Sequence, residues 1–249
     1  MASTSQPSEQ TTRASGTVSD VAIRDAATVI LVRDPAENPR VLMGQRGSGA
    51  AFMPNKFVFP GGAVDQDDGR VALAEHIPRP CASHLELARR PASTATPTML
   101  AAAAIRELWE EAGLILGKPG TWRGQVPPDW ASFAATGHVP AAGALRFVFR
   151  AITPAGRPRR FDARFFLADA AAIATELDDF GAATDELAHL QWIRLDDARG
   201  FDLPFITEVV LAEVAARLPD MSPPENVPFF DNSDEDSLFA QLGGRSPLR

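Results

Sequence analysis

Three glutamates near the end of one predicted helix are the residues of this chain best suited to chemistry. In the run Ala104-Ile105-Arg106-Glu107-Leu108-Trp109-Glu110-Glu111-Ala112-Gly113-Leu114, Glu107, Glu110 and Glu111 stand three and four residues apart. That spacing lets all three carboxylates share one helix face. Gly113 falls where a left-handed C-terminal cap usually sits. On a bare helix the arrangement is unfavourable. Each anion near a C-terminus opposes the macrodipole by roughly 0.3–1 kcal/mol, and like charges one turn apart repel further. Arg106 can meet Glu110 at i,i+4, but one cation cannot balance three anions. A hard divalent cation held by oxygen ligands, such as Mg²⁺, is the simplest remedy. The alternative is an ordinary solvated acidic face.

The stretch upstream weighs against that alternative. Phe57-Val58-Phe59-Pro60-Gly61-Gly62-Ala63-Val64-Asp65 is a short apolar run broken by Pro-Gly-Gly, which predicts a strand ending in a tight turn. Two glycines permit a close backbone approach that a Cβ would block.

Together, the Phe-Pro-Gly-Gly turn and the later Arg-Glu-X-X-Glu-Glu-X-Gly resemble the signature of the Nudix hydrolases. The family's order is a Gly, five residues, a Glu, seven residues, then Arg-Glu, an apolar residue, any residue, Glu-Glu, any residue, Gly and an apolar residue. Gly62 matches the first position, and Arg106, Glu107, Leu108, Glu110, Glu111, Gly113 and Leu114 match the end. The chain departs in length: 43 residues separate Gly62 from Arg106, so about 30 are inserted, long enough to expect a role of their own. Asp68 has the early glutamate's spacing from Gly62, while Thr98 has the position seven residues before Arg106. Asp68 is not assigned as a ligand. The insertion, about 69–97, holds Pro78, Pro80, Pro91 and Pro97 and a short helix around Ala82–Arg90. A lid over substrate, a dimer contact and an inert excursion are its three readings.

The resemblance implies an α/β/α sandwich around a mixed sheet, and cleavage of the diphosphate bond of a nucleoside diphosphate linked to another moiety. It implies Mg²⁺ or Mn²⁺ on Glu107, Glu110, Glu111 and the Gly62 carbonyl. Arg106 would orient the glutamates, and the general base is Glu110, Glu111 or Glu186. Glu186 enters because the family draws a further acidic group from a loop ahead of a strand. Thr153-Pro154, followed by Pro158–Asp162 and Arg164–Leu167, looks like the coenzyme A diphosphatases of peroxisomes and mitochondria, which also carry a long insertion. Leu42–Ala50, however, keeps one Arg of their basic motif and lacks the second. Coenzyme A or acyl-CoA, ADP-ribose and NAD(H) therefore all stand as substrate classes. The rival is a catalytically inactive nucleotide-binding regulatory module, and members of that kind usually lose helix glutamates that this chain retains.

Composition constrains the partners. The net charge of −8 disfavours nucleic acid, whose binding needs a basic surface. An acidic protein that takes a polyphosphate must place local positive charge. Arg46 is the first candidate because it ends a strand leading to the glycine turn, with Lys56 and the group Arg157, Arg159, Arg160 and Arg164 beside it; Gly61 is a further substrate-binding candidate. The single cysteine, Cys81, points to a reducing compartment, here the cytoplasm. No apolar run approaches the ~18 residues of a bilayer span, and no targeting peptide is evident.

Patterning places these residues on elements. Ala27–Val32 and Val41–Gln45 read as a hairpin and Phe57–Phe59 as a third strand. Thr96-Pro97 caps a helix through Met99–Ala112. Leu145–Ile152, Arg160–Leu167 and Leu190–Leu195 are further strands, and Leu203–Leu218 a closing amphipathic helix. The expected organisation is a disordered N-terminal tail, Met1–Ser19, a domain over 20–218, and a C-terminal tail, 219–249, with three readings: packed on the domain, packed across a homodimer, or disordered.

Overall fold

The computed structural model describes residues 21–232 and 238–242; the expected N-terminal tail lies outside them. The strands are β1 (Ile23–Arg33), β2 (Arg40–Arg46), β3 (Phe57–Val58), β4 (Gly61–Ala63), β5 (Gly117–Pro119), β6 (His138–Pro140), β7 (Arg146–Ile152), β8 (Arg160–Asp169), β9 (Leu187–Arg194), β10 (Val227–Asp231) and β11 (Leu238–Leu242). The helices are α1 (Arg79–Glu86), α2 (Pro97–Ala112), α3 (Ala131–Ala135) and α4 (Phe205–Arg217). A mixed sheet runs β11-β10-β7-β8-β1-β2-β3, with β4 on β1 and β9 on β2, while β5 and β6 form a separate ribbon. Helices cover both faces, the α/β/α arrangement expected.

Alternation along β1 builds the two layers, because successive strand side chains point to opposite faces. Ala27, Val29 and Leu31 pack with the buried Leu100–Ile105 stretch of α2. Ile30 and Val32 pack with Val210, Leu211 and Val214 of α4. The alanines of α2 let that helix lie close against β1 and β4.

Phe57–Phe59 does not form one strand. Pro60 breaks it, so Phe57 and Val58 pair with β2. Gly61–Ala63 switches to pair with β1, at Thr28, Ala27 and Ala26. The segment after Leu218, kept outside the domain in the sequence reading, returns as β10, parallel to β7 through Phe229 and Arg150.

The insertion packs into the α2 layer. Its helix starts at Arg79, earlier than expected, because Pro80 suits a first turn. Val71, Ile77, Cys81, Leu85 and Ala95 are buried in the same core as α2. Charge fastens its far end. Arg90 donates to Asp162 at 2.8 Å and to Asp25 at 3.1 Å. Arg150 donates to both oxygens of Asp162 at 2.8 Å and to the carbonyls of Leu87 and Ala88. Burial alone would raise the Asp162 pKa, but its arginine partners pull it below the usual carboxylate value.

Asp162 is fully buried between arginines, so neutralising it strands their charges in the core. Asp162→Asn is expected to cost on the order of 3 kcal/mol in denaturant unfolding. A loss below about 0.5 kcal/mol, the size of an ordinary surface change, would contradict this.

Candidate active site

The end of α2 is set by local signals. The Thr96 hydroxyl accepts from Met99 N–H at the start, and Gly113 adopts φ 69° at the end. A Cβ at Gly113 would stand 3.0 Å from the Ala183 nitrogen, so glycine also lets the 182–184 loop approach. The Thr184 N–H then donates to the Glu110 carbonyl at 2.7 Å. This bond anchors the loop that carries Glu186.

Arg106 is the centre of the site. Its guanidinium donates to both oxygens of Asp68, at 2.9 and 3.1 Å, and to the Ala63 carbonyl at 2.9 Å. It also donates to Glu107 and to Glu110, each at 3.0 Å. Burial alone would lower its pKa, but Asp68, Glu107 and Glu110 more than reverse this and raise it. Arg106 is thus a permanent cation committed to protein groups. Asp68 is fully buried and accepts as well from Trp130 Nε1 at 3.2 Å and from Asp65 N–H at 2.9 Å. Sequence reasoning marked its spacing from Gly62 but gave it no task, since its partner lies 38 residues on.

The glutamates together carry more negative charge than Arg106 offsets. Glu111 accepts from the Gly61 N–H at 2.7 Å, with Arg46 at 3.9 Å. Burial first, then the neighbouring Glu107, pushes its pKa up to about 8. Burial pushes Glu107 to about 7 against the pull of Arg106, and burial also raises Glu110. Gly62 lies directly against the Glu107 carboxylate: a Cβ there would fall on Glu107 Oε1.

The glutamates do not form a ready-made cation cage. Among the described residues no three acidic, histidine or cysteine side chains stand together as one; they are shared between Arg106 and the Gly61 amide. The donor set nonetheless suits a divalent cation: oxygen-only ligands, two carboxylates made hard to ionise by burial and neighbouring acids, and a side-chain-free backbone at Gly62.

These groups open on a cavity of about 940 Å³ that holds Arg46, Lys56, Gly61, Gly62, Arg106, Glu107, Glu110, Glu111 and Glu186 in its wall. These nine expected residues therefore meet the same space. Lys56 is paired with Asp202, 146 residues away. The basic group divides. Arg157 and Arg159 line the cavity, whereas Arg160 and Arg164 are buried on the other side of β8. Arg160 donates to the Thr153 and Asn232 carbonyls, and Arg164 to Asp25 at 2.6 Å. Strand alternation is the reason: Phe161, Ala163 and Phe165 face the cavity, so Arg160 and Arg164 cannot. No insertion residue lines the cavity.

No protein-family model matches the sequence. The chain is 31% identical over 183 residues to a Caenorhabditis elegans protein named nudix hydrolase 7, covering 68% of this chain and 51% of that one. It is 31% identical over 205 residues to a Gallus gallus protein named acyl-coenzyme A diphosphatase NUDT19, covering 58% of this chain and 54% of that one. It thus spans about half the length of these curated relatives. The crystal structure of a NUDIX hydrolase from Alicyclobacillus acidocaldarius superposes with a TM-score of 0.57 at 26% identity, over 79% of this chain and 92% of that one. With the glycine turn and the glutamate helix in that fold, the chain belongs to the Nudix hydrolase family. No helix among the described residues is long and apolar enough to cross a membrane.

Two expectations follow from the crowding and the charges. At Gly61 a Cβ would lie 2.6 Å from the Ala27 carbonyl and 2.7 Å from Thr28 Cα, both immobile backbone. At Gly62 the nearest atoms belong to the Glu107 carboxylate, a side-chain end that can shift at the cost of its bond from Arg106, whereas backbone cannot. Gly61→Ala should therefore lower the melting temperature more than Gly62→Ala, and equal losses would contradict the geometry.

The glutamates also set a pH dependence. Their folded pKa values lie above the unfolded value, so the folded state keeps protons that the unfolded state releases, and stability falls as pH rises from about 4.5 to about 8. A cation that holds the ionised forms reverses this loss. Added Mg²⁺ should raise the melting temperature more at pH 8 than at pH 6, and this difference should vanish in Glu107→Gln/Glu111→Gln. A larger gain at pH 6 would contradict the assignment.

Proposed function

We propose that this protein hydrolyses the diphosphate bond of a nucleoside diphosphate joined to a second moiety, with Mg²⁺ or Mn²⁺ on Glu107, Glu110, Glu111 and the Gly62 carbonyl. The observation that carries the reading is the charge imbalance at this wall. Glu107 and Glu111 are buried beside a glycine pair, while Arg106 is shared among Asp68, Ala63, Glu107 and Glu110 and Arg46 comes only to 3.9 Å from Glu111, too little positive charge to balance the carboxylates. When bound, the metal supplies Lewis-acid neutralisation of the diphosphate oxygens.

The chain's own groups do the rest. Arg106 holds the glutamates in place without touching substrate. Arg46 faces the cavity with its Nε buried and without a hydrogen-bond partner, a donor left for a phosphate oxygen. Lys56 can join it cheaply, because a partly exposed ion pair such as Lys56–Asp202 is worth ~1 kcal/mol or less. Glu186 is exposed in the cavity wall and close enough to Glu107 and Glu111 to raise both their pKa values. It is the general base of choice, because Glu110 is engaged by Arg106 and Glu111 by the Gly61 amide. The acyl-coenzyme A in the name of the Gallus gallus relative favours a coenzyme A type of substrate among the three classes. The small-molecule partner, rather than a macromolecule, fits a site recessed in a cavity.

Glu111→Gln should keep the fold and lower kcat by at least about a hundredfold, roughly 2.7 kcal/mol of barrier. Coenzyme A, acyl-CoA, ADP-ribose and NADH are the substrates to try with each metal, with products weighed by mass spectrometry. Release of a nucleoside monophosphate supports the reading; a Glu111→Gln rate within threefold of normal overturns the residue's role.

A further inference from the structure

The glutamates occupy one end of the cavity, and the other end is basic. Arg24, Ala26 and Thr28 of β1 and Phe161, Ala163 and Phe165 of β8 face the same space. The α4 helix covers this sheet face where Ile30, Val32 and Leu167 lie. It leaves open the part where Arg24 pairs with Phe161. Thr28 pairs with Gly61, and Arg24 lies four residues away along the strand, about 13 Å at about 3.3 Å per residue. The turn between β7 and β8 brings Arg157 and Arg159 to the same cavity.

Arg24, Arg157 and Arg159 are all exposed, and none has a carboxylate partner among the described residues. The buried arginines nearby, Arg150 and Arg164, are both bound to Asp162. Three guanidiniums in one cavity without a carboxylate partner among the described residues are unexpected in a chain of net charge −8. Beside them Phe52 reaches across from the loop after Arg46 to make an edge contact with Phe161 at 5.4 Å. That loop is held in an unfavourable backbone shape, with Met53 at φ 50° and Asn55 at φ 61°, a feature that clusters at ligand-binding segments.

We propose that this basic end binds a phosphate monoester on the nucleoside half of the substrate, with the Phe52–Phe161 pair against the base. The preferred substrates then carry a diphosphate and, apart from it, a second phosphate. Planar guanidiniums match phosphate oxygens in paired hydrogen bonds, and a ring face accepts any base. Among diphosphate-linked compounds this selects coenzyme A over 3′-dephospho-coenzyme A, and NADPH over NADH. The inference rests on the diphosphate reading and adds the second anionic contact that sets specificity.

The test compares kcat/KM for coenzyme A and 3′-dephospho-coenzyme A with the normal protein and with Arg157→Ala/Arg159→Ala, whose changes lie in an exposed turn. A second variant, Arg24→Ala, guards against a local effect of the turn. The normal protein should favour coenzyme A by about tenfold or more, the scale of one good charged contact. The preference should shrink in the variants through KM and weaken with added salt. Calorimetric titration with adenosine 3′,5′-bisphosphate and with AMP reads the same preference without turnover. If neither coenzyme is hydrolysed but the bisphosphate still binds tighter and loses that advantage in the variants, the diphosphate reading fails and the phosphate site stands. Equal use of both coenzymes, equal binding of both nucleotides, or a preference unchanged in the variants overturns the site.

Discussion

One guanidinium organises the glutamate wall of the cavity. Arg106 lies almost wholly out of water and spends its donors on Asp68, Glu107, Glu110 and the Ala63 carbonyl. A buried cation is costly unless its donors are met, so the geometry of all four partners is coupled. Asp68 fixes the guanidinium, the guanidinium fixes two glutamates, and the Ala63 carbonyl ties the helix to the strand that contains the glycine pair. Glu111 is left outside this arrangement and takes the Gly61 amide instead. The donors of Arg106 are thereby spent before the carboxylates are balanced, and Arg46 approaches Glu111 only to 3.9 Å, which is the imbalance that motivates the proposed metal site.

The rest of the fold serves to bring a helix end, a glycine turn and a loop to one place. The sheet supplies a floor on which β4 lies beside β1, and the alanine face of α2 lets the helix settle near enough for its glutamates to reach β4. Gly113 then admits the loop bearing Glu186. The insertion contributes apolar mass to the α2 layer and a charge clamp at Asp162, away from the cavity. Its length therefore adds to the core.

Sequence patterns revealed what depends on neighbours a few residues apart. The Thr96 cap, the Gly113 terminus, the glutamate spacing and the break at Pro60 are all local, and local rules found them. What stayed hidden depends on partners far along the chain. Nothing in the run around Lys56 shows that Asp202 will hold it, and nothing near Val227 shows that this segment will line up beside β7. Asp68 is intermediate, since its spacing was visible but its task required seeing Arg106 beside it. Arg160 and Arg164 read like the available cations Arg157 and Arg159 until the strand's alternation separates them. Even the shared face of the three glutamates was legible only as a possibility of spacing; the division of their oxygens between Arg106 and an amide is a property of the assembled site.

The carboxylates' demand for a cation is measured most directly by titrating Mn²⁺ into the protein and following free metal by electron paramagnetic resonance, with no substrate present. Saturable binding that Mg²⁺ displaces, and that weakens at least about tenfold when Asp68→Asn loosens Arg106, is the expected result. Absence of saturable binding, or affinity indifferent to replacement of Glu107 and Glu111 by glutamine, would show that these buried acids do not serve a metal.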